Sequence, residues 1–174
     1  MTTIKSIPST LSPLSPNGFN FSITKAPAIT FFCQEANIPS ITLGDPAFET
    51  PFTSAPVPGD HLRFDVLMVN FLIDEKMDNY SLIHNWLIGL GFPESYTQYT
   101  NLLSEDTTKY DELIKNYSDA TLQILDANNN PIRTITFTDC FPISLESLTF
   151  SSTNDDVSYL IGSATFRFTL YRFN

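Results

Sequence analysis

The stretch LRFDVLMVNFLI, residues 62–73, decides the fold class of this chain. A short run of β-branched, aromatic and long apolar residues is typical of a buried strand. One predicted face holds Phe64, Val66 and Met68, which we expect to be core anchors. The opposite face is equally apolar, so we expect one face to pack on the core and the other to need a helix or another subunit.

A helix is predicted directly after this strand, over about residues 78–90. Apolar residues recur there at helical spacing, Asp78 is a candidate N-cap, and Gly91 followed by Pro93 supplies a stop. The expected core anchors of this helix are Ile83, Trp86 and Leu87.

The remaining apolar segments alternate with the period of two that indicates strands. They cover residues 19–24, 29–36, 120–125, 132–138, 143–150 and 157–173. The polar turn at 126–131 joins two of them into a hairpin, and residues 94–119 are predicted as a long loop with a helical turn near Tyr110 to Tyr117. The chain is therefore predicted to be mainly β, an antiparallel β-sandwich or partial barrel with one packed α-helix.

Two segments are rich in proline. Residues 1–18 combine prolines with serines and are predicted to form an extended N-terminal arm before a single domain at 19–174. Residues 37–60 are predicted to form edge strands or an extended hairpin, because each proline removes one hydrogen-bond donor from a strand ladder.

Composition narrows the classes of partner. Nine basic residues against nineteen acidic ones give a net charge of -10, which disfavours tight binding to DNA or to anionic lipid. No apolar run approaches the ~20 residues that cross a bilayer. Charged residues make up only 16% of the chain, against roughly 25% in an average domain, which suggests that part of the surface is covered by partners.

Candidate sites for chemistry are weak. Asp126, Asn128 and Asn130 have the spacing of a calcium loop, but Pro131 and Phe137 stand where that loop needs glycine and glutamate. His61 and His84 have no partner at a fixed spacing, no Gly-x-Ser-x-Gly or phosphate-binding glycine loop occurs, and adjacent carboxylates usually face water. We expect no catalytic residue, no metal site and no cofactor.

The order of these features resembles the tail-tube protein family of contractile-tailed phages. The features that carry the resemblance are the early strand pair, the turn at residues 36–39, the proline-bearing segment ending in Pro58-Gly59-Asp60, the strand closed by Asp74-Glu75, the helix with Trp86, the hairpin, the turn at residues 139–142 and the final strand to Tyr171. The resemblance covers about residues 19–173.

The resemblance implies a structural virion protein of the phage tail, assembled in the host cytoplasm. Six subunits would join their sheets edge to edge into a larger barrel, and the rings would stack into a tube through which DNA passes without specific binding. Sheath, baseplate and terminator proteins are the implied partners, with no membrane contact, and the acidic composition suggests a bore that weakly repels DNA. The expected contacts between rings are the N-terminal arm and Pro46, Phe48, Pro51, Phe52, Pro56 and Pro58.

Two alternatives remain open. The chain could be a tube initiator at the baseplate or a tube subunit of a secretion system. From a different class, a small β-sandwich could bind carbohydrate or a protein partner through Tyr96, Tyr99, Tyr110 and Tyr117.

Overall fold

The fold is built on an antiparallel sheet that bends over on itself. The computed structural model describes residues 13–49, 51–104, 116–152 and 159–174. The strands there are β1 (Phe19–Ile23), β2 (Cys33–Ala36), β3 (Ile41–Leu43), β4 (Ala47–Glu49), β5 (Ser54–Pro56), β6 (Leu62–Phe64), β7 (Leu67–Leu72), β8 (Ser118–Leu125), β9 (Pro131–Leu145), β10 (Ile161–Arg167) and β11 (Leu170–Phe173). The helices are α1 (Pro27–Phe32), α2 (Asp78–Gly91) and α3 (Tyr96–Ser104). The predicted mainly β, antiparallel class is confirmed.

Strand β9 divides the sheet into two four-stranded parts. Its first part pairs with β8 and β11, which gives a first half-sheet in the order β1-β8-β9-β11. Its last residues pair with β10, which gives a second half-sheet in the order β9-β10-β7-β2. The left-handed backbone of Asp139, with a φ of 56°, lies between the two parts. The long strand therefore connects both layers of the sandwich.

The hydrophobic core lies between the two half-sheets. The buried apolar residues of the first half-sheet are Phe21, Ile23, Ala120, Leu122, Ile135 and Phe137, and Cys140 is buried where β9 bends. Those of the second are Leu67, Val69, Phe71, Ala164 and Phe166. Helix α2 adds the buried Ile83 and Trp86, and Leu87 packs half-buried against the same cluster. The rings of Trp86 and Phe166 are 6.3 Å apart, so the helix is anchored on the second half-sheet.

The predicted strand at 29–36 is wrong in its first part. Residues Pro27–Phe32 form α1, and only Cys33–Ala36 are extended. Proline at the first helical position has its φ already set for a helix and lacks only an N–H that would be unpaired there. Ile29 is buried, so contact with the core stabilises this short helix against the β preference of its sequence.

The deciding stretch at 62–73 contains two strands rather than one. β6 pairs with β3, β7 pairs with β10 and β2, and the chain leaves the ladder at Asp65 and Val66. The predicted face is therefore wrong for Met68, which is 45% exposed, while Phe64 and Val66 are half-buried. The buried side of β7 is the opposite face, which carries Leu67, Val69 and Phe71.

Further boundaries differ from prediction. The described residues contain three helices rather than one, because α1 replaces part of the predicted strand at 29–36 and α3 lies in the predicted loop at 94–119. The final strand is split into β10 and β11, and residues 146–150 lie outside any strand, while 143–145 continue β9. The N-cap position of α2 is Met77, in a left-handed conformation, and not Asp78. Of the predicted N-terminal arm, residues 1–12 lie outside the described residues and 13–17 are exposed.

Candidate assembly surfaces

Residues 41–49 and 51–64 form a two-stranded arm that extends from the sandwich. β3 pairs with β6 at its base, and β4 pairs with β5 nearer its tip. Between the two ladders the Gly59 N–H donates to the Gly44 carbonyl at 2.6 Å, and a side chain on Gly59 would collide with that backbone. At about 3.3 Å per residue, the extended segment from Ile41 to Glu49, which contains β3 and β4, is at most roughly 25 Å long. The edge strands or extended hairpin predicted over residues 37–60 therefore correspond to two short antiparallel ladders that begin at Ile41 and end at Phe64.

The arm carries apolar side chains that no core covers. Phe52 at the tip is 99% exposed and Phe48 is 65% exposed. The other exposed large apolar residues of the arm are Ile41, Leu43, Val57 and Leu62. The six residues predicted at ring contacts, Pro46, Phe48, Pro51, Phe52, Pro56 and Pro58, all lie on this arm and are all exposed. Exposed apolar surface of this kind is typical of interaction sites, so the arm is a candidate assembly surface.

The base of the arm is fixed by polar and aromatic contacts. The Asn37 side chain accepts a hydrogen bond from the Met68 N–H at 2.7 Å and donates to the Val66 carbonyl at 3.2 Å. Tyr171 donates from its hydroxyl to the Pro39 carbonyl at 3.1 Å, and its ring lies 5.5 Å from that of Phe64. These contacts at the base of the arm therefore fix the direction in which it leaves the sandwich.

Each half-sheet ends in strands with a neighbour on one side only. In the described part of the chain, β1 and β11 are the outer strands of the first half-sheet, and β2 and the end of β9 are those of the second. Exposed apolar side chains accompany the second pair, with Phe32 and Ile38 beside β2, and Ile143 and Phe150 at or after the end of β9. An unpaired strand edge with apolar neighbours is a template for pairing with another chain.

The polar candidates support folding rather than chemistry. The Asp126 carboxylate accepts hydrogen bonds from the N–H groups of Asn128 and Asn130 at 2.7 and 2.9 Å, and these backbone bonds, that of Asn130 first, lower the pKa of the carboxyl. Asn129 has a φ of 61°, as a tight turn requires. His61 is exposed and contacts only Asp60, at 2.6 Å, among the ionisable groups of the described residues. Those residues contain no cluster of three metal-ligating side chains, and none of their helices has the length and apolar character to span a membrane.

A cleft of about 940 Å³ opens between α2, α3 and the start of β8. Trp86 lines it, donates from its indole N–H to the Asn116 carbonyl at 3.2 Å, and has the Lys25 ammonium 5.5 Å from its ring centre. The tyrosines of the binding-module alternative do not form one patch. Tyr96 and Tyr99 pack with each other and with Phe92, Tyr117 packs against Phe141, and Tyr110 lies outside the described residues.

The sequence of the whole chain matches a known family. A family model described as "Phage tail tube protein" aligns with residues 3–174. The chain belongs to the phage tail tube protein family. No curated protein matches it.

Solved structures with the same fold come from contractile injection systems. A chain in the cryo-EM structure of the anti-feeding prophage tube-terminating cap has a TM-score of 0.63 at 10% identity, over 100% of this chain and 99% of that chain. A chain of the anti-feeding prophage baseplate has a TM-score of 0.57 at 11% identity, over 95% and 97%. A chain in the extended PVC sheath-tube complex has a TM-score of 0.56 at 13% identity, over 93% and 91%. At these identities the likeness shows the fold.

Membership of the tail tube family makes the chain a structural tube protein of a phage tail and not an enzyme. Two features of this tube protein escaped the sequence analysis. Asn79 is buried and donates to the Leu72 carbonyl at 2.7 Å, which ties the end of β7 to the start of α2. Asn37 holds the base of the arm, and nothing distinguishes either asparagine from an ordinary turn residue before the fold is known.

Proposed function

We propose that six copies of this tube protein close into a ring by joining their sheets edge to edge, and that the rings stack into a hollow tube through which DNA passes. The observation that carries this proposal is the pair of open edges on each four-stranded half-sheet. Closure into a barrel is one way in which β proteins remove such edges.

The dimensions of such a barrel suit a DNA channel. Six copies contribute four strands each, or 24 strands in one barrel. With strands about 4.8 Å apart and tilted by about 40°, the backbone circumference is about 150 Å and the diameter roughly 50 Å. Side chains occupy about 5 Å on each side, half the usual spacing of packed sheets, which leaves a bore of roughly 40 Å. Duplex DNA fits this space without touching the wall everywhere.

The arm supplies the contact between successive rings. Its contour length of roughly 25 Å would allow it to reach a subunit of the next ring. Its exposed Phe48 and Phe52 become buried only on another copy. This contact joins the arm of one subunit to a different surface, the body of a subunit in the next ring. Such a heterologous contact does not close on itself, so it repeats along an axis and builds a filament. Pro46, Pro51, Pro56 and Pro58 keep the ribbon from recruiting further strands along its edges.

The partners of the finished tube follow from its relatives. The similar anti-feeding prophage chains come from a baseplate and a tube-terminating cap, and the PVC chain comes from a sheath-tube complex. We propose sheath, baseplate and terminator proteins as partners of this chain, a place in the tail of the virion and assembly in the host cytoplasm.

A second candidate is a tube initiator at the baseplate. The fold likeness to the anti-feeding prophage baseplate chain, at a TM-score of 0.57, favours it. An initiator starts a tube but does not extend one with copies of itself. It should therefore give single rings, where a main tube subunit gives long tubes.

Electron microscopy of the purified chain over a series of concentrations tests these proposals. We expect rings at intermediate concentration and tubes at high concentration, with native mass spectrometry giving six copies of the 19.6 kDa chain per ring. Rings that never stack would favour the initiator. A chain that stays monomeric at millimolar concentration would contradict both and favour a binding module.

A further inference from the structure

The outward face of the first half-sheet is uncharged through its middle. Its strands place hydroxyl and amide side chains opposite each other, between the buried core residues. The cross-strand rows are Asn20, Gln123 and Thr134, and Ser22, Thr121 and Thr136. Arg172 in β11 lies opposite Thr136, and Asp119 lies at the very start of β8, beside the bend at Asp139. Carboxylates therefore occur only where this face ends.

The outward face of the second half-sheet is also without net negative charge. Ser144, Thr165 and Met68 form one cross-strand row, and Ser163 and Asn70 pair in the next. The carboxylate on this face is Glu35, which accepts a hydrogen bond from the Asn70 amide at 2.8 Å. Arg167 at the end of β10 offsets its charge.

The acidic residues of the described chain lie at the edges of the molecule. They occupy the arm, the ends of strands and the loops before and after α2. Those outside the two sheet faces are Asp45, Glu49, Asp60, Asp65, Asp74, Glu75, Asp78, Glu94, Asp126, Asp139 and Glu146, while Asp119 lies at the end of the first face. The negative charge of the described residues is therefore not spread over the surfaces that a barrel would turn inward.

We propose that the bore of the assembled tube is a wall without net charge, made mainly of hydroxyl and amide side chains, and that the carboxylates of the described residues lie on the arm or toward the rims of each ring, apart from Glu35, which is paired with Asn70 on the second face. The inference rests on the proposed ring. It holds whichever half-sheet forms the barrel, because neither outward face carries net negative charge. It replaces the expectation of an acidic bore that the composition suggests.

A neutral wall suits passage of DNA for a specific reason. Basic side chains hold DNA by releasing its condensed counterions, and the affinity then falls steeply with salt. Carboxylates would instead gather their own counterions along the path. Threonine, serine and asparagine side chains bind water and present no fixed charge, so the DNA keeps its hydration and counterions as it slides. Passage through such a bore should depend little on ionic strength.

Site-directed labelling of tubes assembled from the full chain tests this inference. Thr121→Cys marks the outward face of the first half-sheet, Thr165→Cys marks that of the second, and Glu75→Cys marks the acidic loop before α2. Each variant is labelled with a maleimide gold cluster and its radial position is read by cryo-EM. Burial raises the pKa of Cys33 to about 11 and that of Cys140 to about 12, so both native thiols stay protonated near neutral pH and give low background in the parent tube.

We expect one of the two sheet-face labels inside the bore and the Glu75→Cys label outside it. A Glu75→Cys label inside the bore, or both sheet-face labels outside it, would overturn the neutral wall while leaving the tube itself intact. Failure of the parent chain to form tubes would defeat the proposed ring, so the two failures are separate. Ser22→Cys and Ser163→Cys, on the same two faces, replace a variant that does not assemble.

Discussion

Phe52 gives the sharpest test of the arm. Its ring is 99% exposed in the single chain, so Phe52→Ser removes no packing there and the free energy of unfolding should change by less than about 0.5 kcal/mol. If the ring is buried on a neighbouring copy, its loss costs about 2 kcal/mol per contact, within the range for burying a phenylalanine. Each added subunit makes one such contact.

A loss of about 2 kcal/mol per subunit corresponds to a roughly 30-fold rise in the critical concentration for tube growth. Ultracentrifugal pelleting over a concentration series measures this value, and chemical denaturation measures the stability of the single chain. Phe52→Leu is the matched control, since it keeps an apolar side chain and should stay within about fivefold of the parent. An unchanged critical concentration for Phe52→Ser would refute the contact, and so would a large loss of monomer stability.

Two further predictions concern the fold and are read by chemical denaturation. Leu67→Ala should lower the free energy of unfolding by about 2–5 kcal/mol because Leu67 is fully buried. Met68→Ala should lower it by under about 1 kcal/mol because the Met68 side chain is 45% exposed. The reverse ranking would show that the face predicted from the sequence is the buried one. Asn79→Ala should lower the free energy of unfolding by about 1–3 kcal/mol because it leaves the Leu72 carbonyl without its hydrogen-bond donor. The control Asp78→Ala, at the exposed neighbouring position, should change it by less than about 0.5 kcal/mol. Equal effects of the two substitutions would contradict the role of Asn79.

The hairpin and α2 were predictable because their signals are local. A polar turn between two alternating runs predicts β8 and β9, and helical spacing ending at glycine and proline predicts α2. The break at Asp65 and Val66 carries no such signal, because the apolar pattern runs on from Phe64 to Met68. Only pairing with different partners, β3 for β6 and β10 for β7, separates the two strands and decides which face is buried.

The position of the arm in the sequence was predictable, but the contacts that hold it were not. Its prolines exclude a helix and a central strand, which leaves an exposed ribbon. The side chains that fix its base, Asn37 and Tyr171, lie far apart in the sequence and meet the arm only through the tertiary fold. The side chains on the outward faces of the two half-sheets could not be identified for the same reason, since cross-strand register is set by long-range pairing.

The arm also bears on the order of assembly. An isolated two-stranded ribbon is marginally stable in water, and β4 and β5 bury no side chain fully on their own subunit. A single free subunit contributes one arm contact to a growing tube. Burial of Phe52 in that contact would stabilise it by about 2 kcal/mol. In the proposed ring six arms are held in fixed positions, so their contributions add to about 12 kcal/mol once the first has docked. We therefore expect ring closure through the sheet edges to precede stacking, because only a closed ring would present enough weak arm contacts at once to hold the next layer.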